Sequence, residues 1–208
     1  MAAEDKGSGL MATDEIRHMY VAAQAARLFT EKGYAQTKVV EIAAAAHMSG
    51  ETLYRLFPGK LAVLAAAIET CRDGWFRAPI AEDIPVAAAL EAAFRVDLDP
   101  LTVHHRMAFL RCVISESLRN PEVEAVFRGY CTDGIRTALA AWLRRRDREG
   151  RIAVGNAEAA AQLLMSMVFG ALTLGPAAAE PSHEAAERVA SIRGCVAVFL
   201  HGVARDPG

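Results

Sequence analysis

The chain has 208 residues, enough for one large or two small domains with a core of their own. Its 23 Lys and Arg against 25 Asp and Glu leave a net charge of −2, which excludes a polycation that binds nucleic acid through its summed field; such binding has to come from a local patch. Much of the apolar fraction is alanine and aromatics are few, a composition that favours helix over strand. The four cysteines, Cys71, Cys112, Cys131 and Cys195, form no CxxC pair, as expected in a reducing compartment. The start, "MAAEDKGSGL", has no apolar core of a secretion signal, and "AAQLLMSMVFGALTLG" is shorter than the roughly twenty residues that span a bilayer. A soluble, cytoplasmic protein with no membrane partner is expected.

In chain order, residues 1–12 are expected to be a disordered tail. A helix follows from about Thr13 to Lys32, with Val21, Ala25, Leu28 and Phe29 inward and Gly33 closing it. Thr37 is placed to cap a second helix, with Glu41 one turn on and Val39, Ile42, Ala43 and Ala46 on one face. A tight turn, "HMS", leads to a third helix over about 50–57, capped by Ser49, with Leu53 and Phe57 inward. Pro58 suits the first turn of a fourth, which carries Leu61, Leu64, Ala65 and Ile68. Beyond the break "APIAEDIPV", helices are expected near 86–97, 101–118, 121–149 (one helix or two), 156–174 and 183–203. Asn120-Pro121, Gly150, Gly155 and "GPAAAEPS" punctuate them. The fold class is therefore all-α, with about nine helices and no alternating strand pattern.

Two short helices joined by a three- to four-residue turn, after a longer one, are the plan of a helix-turn-helix, whose second helix enters the major groove. Ile42, Ala43, Met48, Leu53 and Phe57 supply its apolar centre, and small Ala43 and Ala46 allow close helix approach. The stretch "AARLFTEKGYAQTKVVEIAAAAHMSGETLYRLFPGK" resembles the N-terminal DNA-binding domain of the TetR family of transcriptional regulators, through Leu28-Phe29, "EKGY", Thr37, "EIAAAA" and "TLYRLFPGK". The resemblance covers about residues 13 to 68. It implies that Thr37, Tyr54 and Lys60 hold DNA phosphates and that Gly50, Glu51, Thr52 and Arg55 lie at or near base edges, with Lys38 and Ser49 completing the DNA-binding set.

Two positions depart from the family. His47 stands where glycine is usual in the turn, a position that tends to need positive φ, which His tolerates. Leu56 stands where many members carry His, which removes one possible bond to the DNA backbone. Glu51 repels phosphate but can accept from a cytosine amine. Residues 1–60 hold seven Lys/Arg and seven Asp/Glu. So neutral a module binds weakly alone, and a dimer doubles its contacts.

The expected domains are thus a helix-turn-helix at 13–60, a linking helix at about 58–78, and a second domain at 79–208. The resemblance implies that this second domain binds a small-molecule ligand and forms a homodimer through the last two helices, which would make the operator a palindrome of double-stranded DNA. "FLRCVISESLRNPEVEAVFRGY" resembles the AefR-type variant.

Read by itself, the helix at 101–118 carries Met107, Leu110, Ile114 and Leu118 on one stripe and His105, Phe109, Cys112 and Glu116 on the opposite one. A mixed second face suits a ligand pocket, or else a solvated charge beside an edge histidine. The basic run "WLRRRDREGR" either ends a helix, where cations suit the dipole, or makes a second nucleic-acid contact. Stripes on 156–174 (Ala160, Leu164, Met167, Ala171, Leu174) and on the last helix (Val189, Ile192, Val196, Phe199) are expected to be core.

The function expected is a ligand-released repressor. The alternative is a regulator switched by redox or metal through Cys112, His105 and Glu116. No GxSxG, HExxH, P-loop or dinucleotide fingerprint is present, and His104-His105 and Glu116 have no nucleophile beside them, so no enzyme activity and no cofactor are expected.

Overall fold

The computed structural model describes residues 5–174 and 180–203, and among them the fold is all-helical. Ten α-helices follow one another: α1 Asp5–Lys32, α2 Val39–Ala45, α3 Gly50–Leu56, α4 Lys60–Arg72, α5 Val86–Ala93, α6 Pro100–Ser117, α7 Pro121–Phe127, α8 Asp133–Arg148, α9 Ala157–Thr173 and α10 Pro181–Val203. A π-helical segment, Arg128–Thr132, joins α7 to α8, so the 121–149 stretch is two helices. No helix among the described residues is long and apolar enough to cross a membrane.

The chain forms two compact units: 1–71 with 112–130, and 72–111 with 131–208. This differs from the sequence-based division at 79, because α6 ends in the first unit after beginning in the second. α1 also starts earlier than expected, at Asp5, so the part of the expected tail that is described is helical. Once 13–32 nucleates a helix, propagation adds one bond per residue, and the glycines Gly7 and Gly9 oppose it by only about 1 kcal/mol each. Residues 1–4 and most of the "GPAAAEPS" break lie outside the described residues.

In the first unit, α2 packs on α1 and on α3. Val21, Ala25, Leu28 and Phe29 of α1, Ile42, Ala43 and Ala46 around α2, and Leu53 and Phe57 around α3 are buried, as their spacing predicts. α1 ends at Gly33, whose φ is +85°. The tight turn after α2 is a full Schellman closure: the Met48 N–H donates to Ala43 O at 3.0 Å and the His47 N–H to Ala44 O at 3.1 Å. That geometry puts His47 at φ +55°, the left-handed backbone expected at this site. Ser49 caps α3, its Oγ accepting from the Thr52 N–H at 3.1 Å.

The α2 cap differs from expectation. Lys38, not Thr37, is the N-cap residue, and its N–H donates to Glu41 Oε2 at 2.8 Å. Lys32 donates to the other oxygen of Glu41 at 2.6 Å, and these bonds hold the Glu41 carboxyl below the usual carboxylate range. Thr37 faces the other way. It is 1% exposed, and its hydroxyl donates to Gly33 O at 2.8 Å, with Leu28 O at 3.3 Å. The last carbonyls of α1 have no intrahelical donor, and a buried hydroxyl beneath them is drawn inward.

In the second unit, α9 packs on α8 and α10, and α10 also on α5. The α9 core is Ala157, Ala161, Leu164, Val168 and Leu172, whereas Ala171 and Leu174 of the predicted stripe are exposed. The predicted stripe repeats every 3.5 residues, and over four turns an α-helix drifts off such a repeat. On α10, Ile192, Val196 and Phe199 are buried as predicted. α5 stops at Ala93, short of 97, through a second Schellman closure in which Arg95 takes φ +58°. Arg188, 4% exposed, donates to the freed carbonyls of Phe94 and Arg95 at 2.6 Å each.

The left-handed backbone at His47 makes a direct prediction. His47→Gly relieves about 1 kcal/mol of backbone strain and raises the thermal midpoint by roughly 2–4 °C, while His47→Val lowers it. Equal midpoints for the three proteins in a thermal melt would disprove strain at this turn.

Candidate nucleic-acid interface

α3 is seven residues long, and Leu53 anchors it inward. That leaves Glu51, Tyr54 and Arg55 on the outer side, at spacings of three and four, and all three are exposed, Tyr54 at 55%. Neither Glu51 nor Arg55 has an ion-pair partner among the described residues. Gly50 and Thr52 are half-buried at the start of the helix, and Thr52 Oγ1 lies 2.9 Å from Ser49 Oγ. Ser49 and Lys38 are exposed. Seven of the predicted DNA-binding residues thus flank or form α2 and α3 and reach solvent at least in part. A guanidinium, a phenol and a carboxylate presented on one short helix can make base-edge and phosphate hydrogen bonds.

The remaining two, Thr37 and Lys60, are turned inward. Lys60 Nζ donates to the carbonyls of Tyr34, Ala35 and Thr37 at 2.8, 3.3 and 3.1 Å, and sits 4.4 Å from the Tyr34 ring centroid. Burial pulls the Lys60 pKa down while Glu116 pulls it up.

The face predicted on α6 divides between the two units. His105 and Phe109 belong to the second unit, Cys112 and Glu116 to the first. His105 is exposed, whereas Phe109 is 2% exposed and stacks on Trp75 at 6.2 Å. Cys112 donates to Phe29 O at 3.1 Å, and Glu116 raises the pKa of the buried Tyr34 phenol, after burial itself and Glu122. The opposite stripe is corrected too: Val103, Met107, Leu110 and Val113 are buried, and Leu118 is 83% exposed past the helix end. The buried residues Val103, Met107, Phe109, Leu110 and Val113 lie on one wide arc of α6, centred to one side of the predicted stripe, so that Phe109 of the other predicted face turns inward.

These placements do not assemble the metal alternative's His105, Cys112 and Glu116 into a site. Among the described residues no group of three or more His, Cys, Asp or Glu converges as a metal site. Burial pushes the Cys112 thiol up, and the Cys131 thiol to about 12, the reverse of a reactive thiolate.

The second unit holds charges that spacing did not reveal. Glu184 is 4% exposed and accepts from Arg111 at 2.7 Å, with His104 Nδ1 at 2.8 Å. In the basic run, Arg146 is 4% exposed, bonds the Glu82 carboxylate and donates to the Glu82 carbonyl at 3.0 Å. Arg145 bonds the same carboxylate and Arg144 pairs with Glu158, while Gly150 at φ +73° closes α8. The run ends a helix, as one of its two readings holds. Glu184 and Arg188 gave no signal in the sequence, where "SHEAAER" has the composition of a solvated helix face.

The thiol directions make a second prediction. At pH 7.5 a thiol-specific chromogenic reagent labels Cys131 of the folded protein only at the rate of unfolding, since a pKa of about 12 leaves about three orders of magnitude less thiolate than an ordinary cysteine. Fast labelling of Cys112 or Cys131 in the native chain would support the redox alternative.

Comparison with known proteins agrees with this geometry. Residues 22–67 match the family described as bacterial regulatory proteins, tetR family, and residues 88–202, more than half of the chain, match the AefR-like transcriptional repressor, C-terminal domain. No curated relative matches the sequence. Among solved structures, a transcriptional regulator from Rhodococcus sp. Rha1 superposes with a TM-score of 0.71 at 22% identity, over 91% of this chain and 99% of that one. GusR from Salmonella enterica gives 0.70 at 24%, over 89% and 95%. FadR from Thermus thermophilus, a repressor in complex with lauroyl-CoA, gives 0.61 at 22%, over 92% and 98%. At these identities the structures share the fold alone. The outward face of α3, the helix-turn-helix beneath it and the matched domains together place this chain in the TetR family of DNA-binding transcriptional regulators, with an AefR-like C-terminal domain.

Proposed function

We propose that this protein is a homodimeric repressor acting in the cytoplasm, which grips a palindromic operator through α3 and leaves it when a small molecule occupies the C-terminal domain. The observation that carries the proposal is the outer face of α3, where Glu51, Tyr54 and Arg55 stand exposed on a helix anchored by Leu53. In this reading Arg55, Glu51, Thr52 and Gly50 lie at base edges, and Tyr54, Ser49 and Lys38 meet phosphates. The α3 dipole adds to the attraction for phosphate. Ligand acts by binding a state in which the two α3 helices are wrongly spaced; a differential affinity of about 100-fold, roughly 2.7 kcal/mol, is enough for a useful switch.

Support for the dimer comes from the outer faces of α9 and α10. Leu163 on α9 and Leu174 just past its end are 57% and 89% exposed, and Val198 on α10 is 64% exposed. Ala190, Gly194 and Ala197 line α10 beside it, also exposed, and small residues let helices of two copies approach closely.

Operator binding is tested by selecting bound fragments from random DNA with the wild type and with Arg55→Ala. The expected result is a palindromic consensus bound with steep salt dependence. Arg55→Ala weakens it by about 1–3 kcal/mol for each base that the guanidinium no longer reads, and relaxes the readout at one position per half-site. Failure to enrich any sequence, or equal enrichment by the variant, would sink the proposal. The dimer is tested by sedimentation of Leu163→Glu/Gly194→Glu. A halved mass with helicity unchanged is expected, and a variant that stays dimeric would show that the dimer forms through another surface.

A further inference from the structure

We propose that Lys60, which the family resemblance assigns to a DNA phosphate, is a positioning residue: its ammonium holds the turn Tyr34–Thr37 so that Lys38 meets the DNA backbone. The inference rests on the reading that the first unit binds DNA through α2 and α3. An ammonium carries three protons and no acceptor. Here three carbonyls take them, those of Tyr34, Ala35 and Thr37, at 2.8, 3.3 and 3.1 Å. The Tyr34 ring closes one side of the site at 4.4 Å. A phosphate contact would have to break bonds already made to the half-buried carbonyls of Tyr34 and Thr37, which would then lack donors, and to the exposed carbonyl of Ala35.

These carbonyls belong to the connection between α1 and α2, residues with no helical partner for them. Thr37 is fixed in the same connection by its own hydroxyl and by its N–H, which donates to Gly33 O at 3.3 Å. The next residue is Lys38, whose backbone is pinned by Glu41 and whose side chain is exposed with no salt bridge among the described residues. Lys60 thus sets the height and direction from which Lys38 leaves the surface. The chemistry separates the two lysines: one is saturated by carbonyls, the other is free to release a counterion from DNA.

The test is a salt series of operator affinity for wild type, Lys60→Arg, Lys60→Gln, Lys38→Gln and the double variant Lys38→Gln/Lys60→Arg, at a temperature where circular dichroism shows each to be folded. Lys38→Gln is expected to lower the slope of log affinity against log salt by about 0.9 per protomer, about 2 for a dimer. Lys60→Arg keeps the charge but its planar fork does not fit three converging carbonyls. It is expected to weaken binding about tenfold at every salt concentration with the slope unchanged. In the Lys38→Gln background that weakening is expected to vanish, because the residue acts through Lys38. A purely structural role would give additive effects. Wild-type affinity in Lys60→Arg, or a slope in Lys60→Gln reduced as far as in Lys38→Gln, would establish the phosphate contact and overturn the proposal. Amide exchange at Thr37 and Ile42 is expected to quicken in Lys60→Arg, and unchanged exchange also overturns it. If the wild type selects no site at all, the DNA-binding reading fails by itself, and amide exchange still decides whether Lys60 holds the turn.

Discussion

Helices end with carbonyls that have no donor, and an all-helical chain has many such ends to satisfy within a small interior. This one meets the demand with cations. Lys60 gathers the carbonyls of Tyr34, Ala35 and Thr37 after α1. Arg188 takes those of Phe94 and Arg95 after α5, Arg146 that of Glu82, and Arg111 reaches the Leu172 carbonyl near the end of α9. Trp142 donates its indole N–H to the loop carbonyl of Ala81, and Trp75 donates to the Arg106 carbonyl within α6. Burying a charge this way is costly unless every partner is in place, so each of these side chains fixes the connection it serves.

The first unit shows what this does for recognition. The turn before α2 is closed from within by Thr37 and Lys60, and the turn after it by the Schellman bonds at His47. Between two fixed turns α2 has little freedom, and it packs on α3. A seven-residue helix is marginal by itself, and α3 depends on Leu53, Phe57 and the Ser49 cap for its place. Polar groups that hold the scaffold are therefore inside, and the ones left outside, Lys38, Glu51, Tyr54 and Arg55, are those available to DNA.

The second unit adds a buried ion pair to its cation–carbonyl bonds. Glu184, between Arg111 and His104, ties α10 to α6, and Arg188 ties α10 to the end of α5. Removing one member of such a set leaves an uncompensated charge inside, which is far more damaging than breaking a surface pair. The surface charges of α8, by contrast, are individually weak contributors.

Much of the helix-turn-helix was legible in the sequence. Gly33, Ser49, Leu53 and Phe57 carry local rules, and so does the positive φ at His47, because a cap or a C′ residue is fixed by the few bonds around it. The family assignment rested on the same local signals in a fixed order. What spacing could not give was the phase of α6 and α9, since a narrow apolar stripe drifts along a helix and does not fix the centre of the wider buried arc. Nor could it give the direction in which Thr37, Lys60, Glu184 and Arg188 point. The sequence by itself determined that the chain is helical, where most helices end, and that a short capped helix follows the turn at about 50–57, which the structure ends at Leu56. Only the tertiary structure decided which polar side chains are satisfied inside and which face solvent. For the half-buried Lys60 and the buried Arg188 that depends on carbonyls brought close from 23 to 94 residues away rather than on any neighbour in the chain.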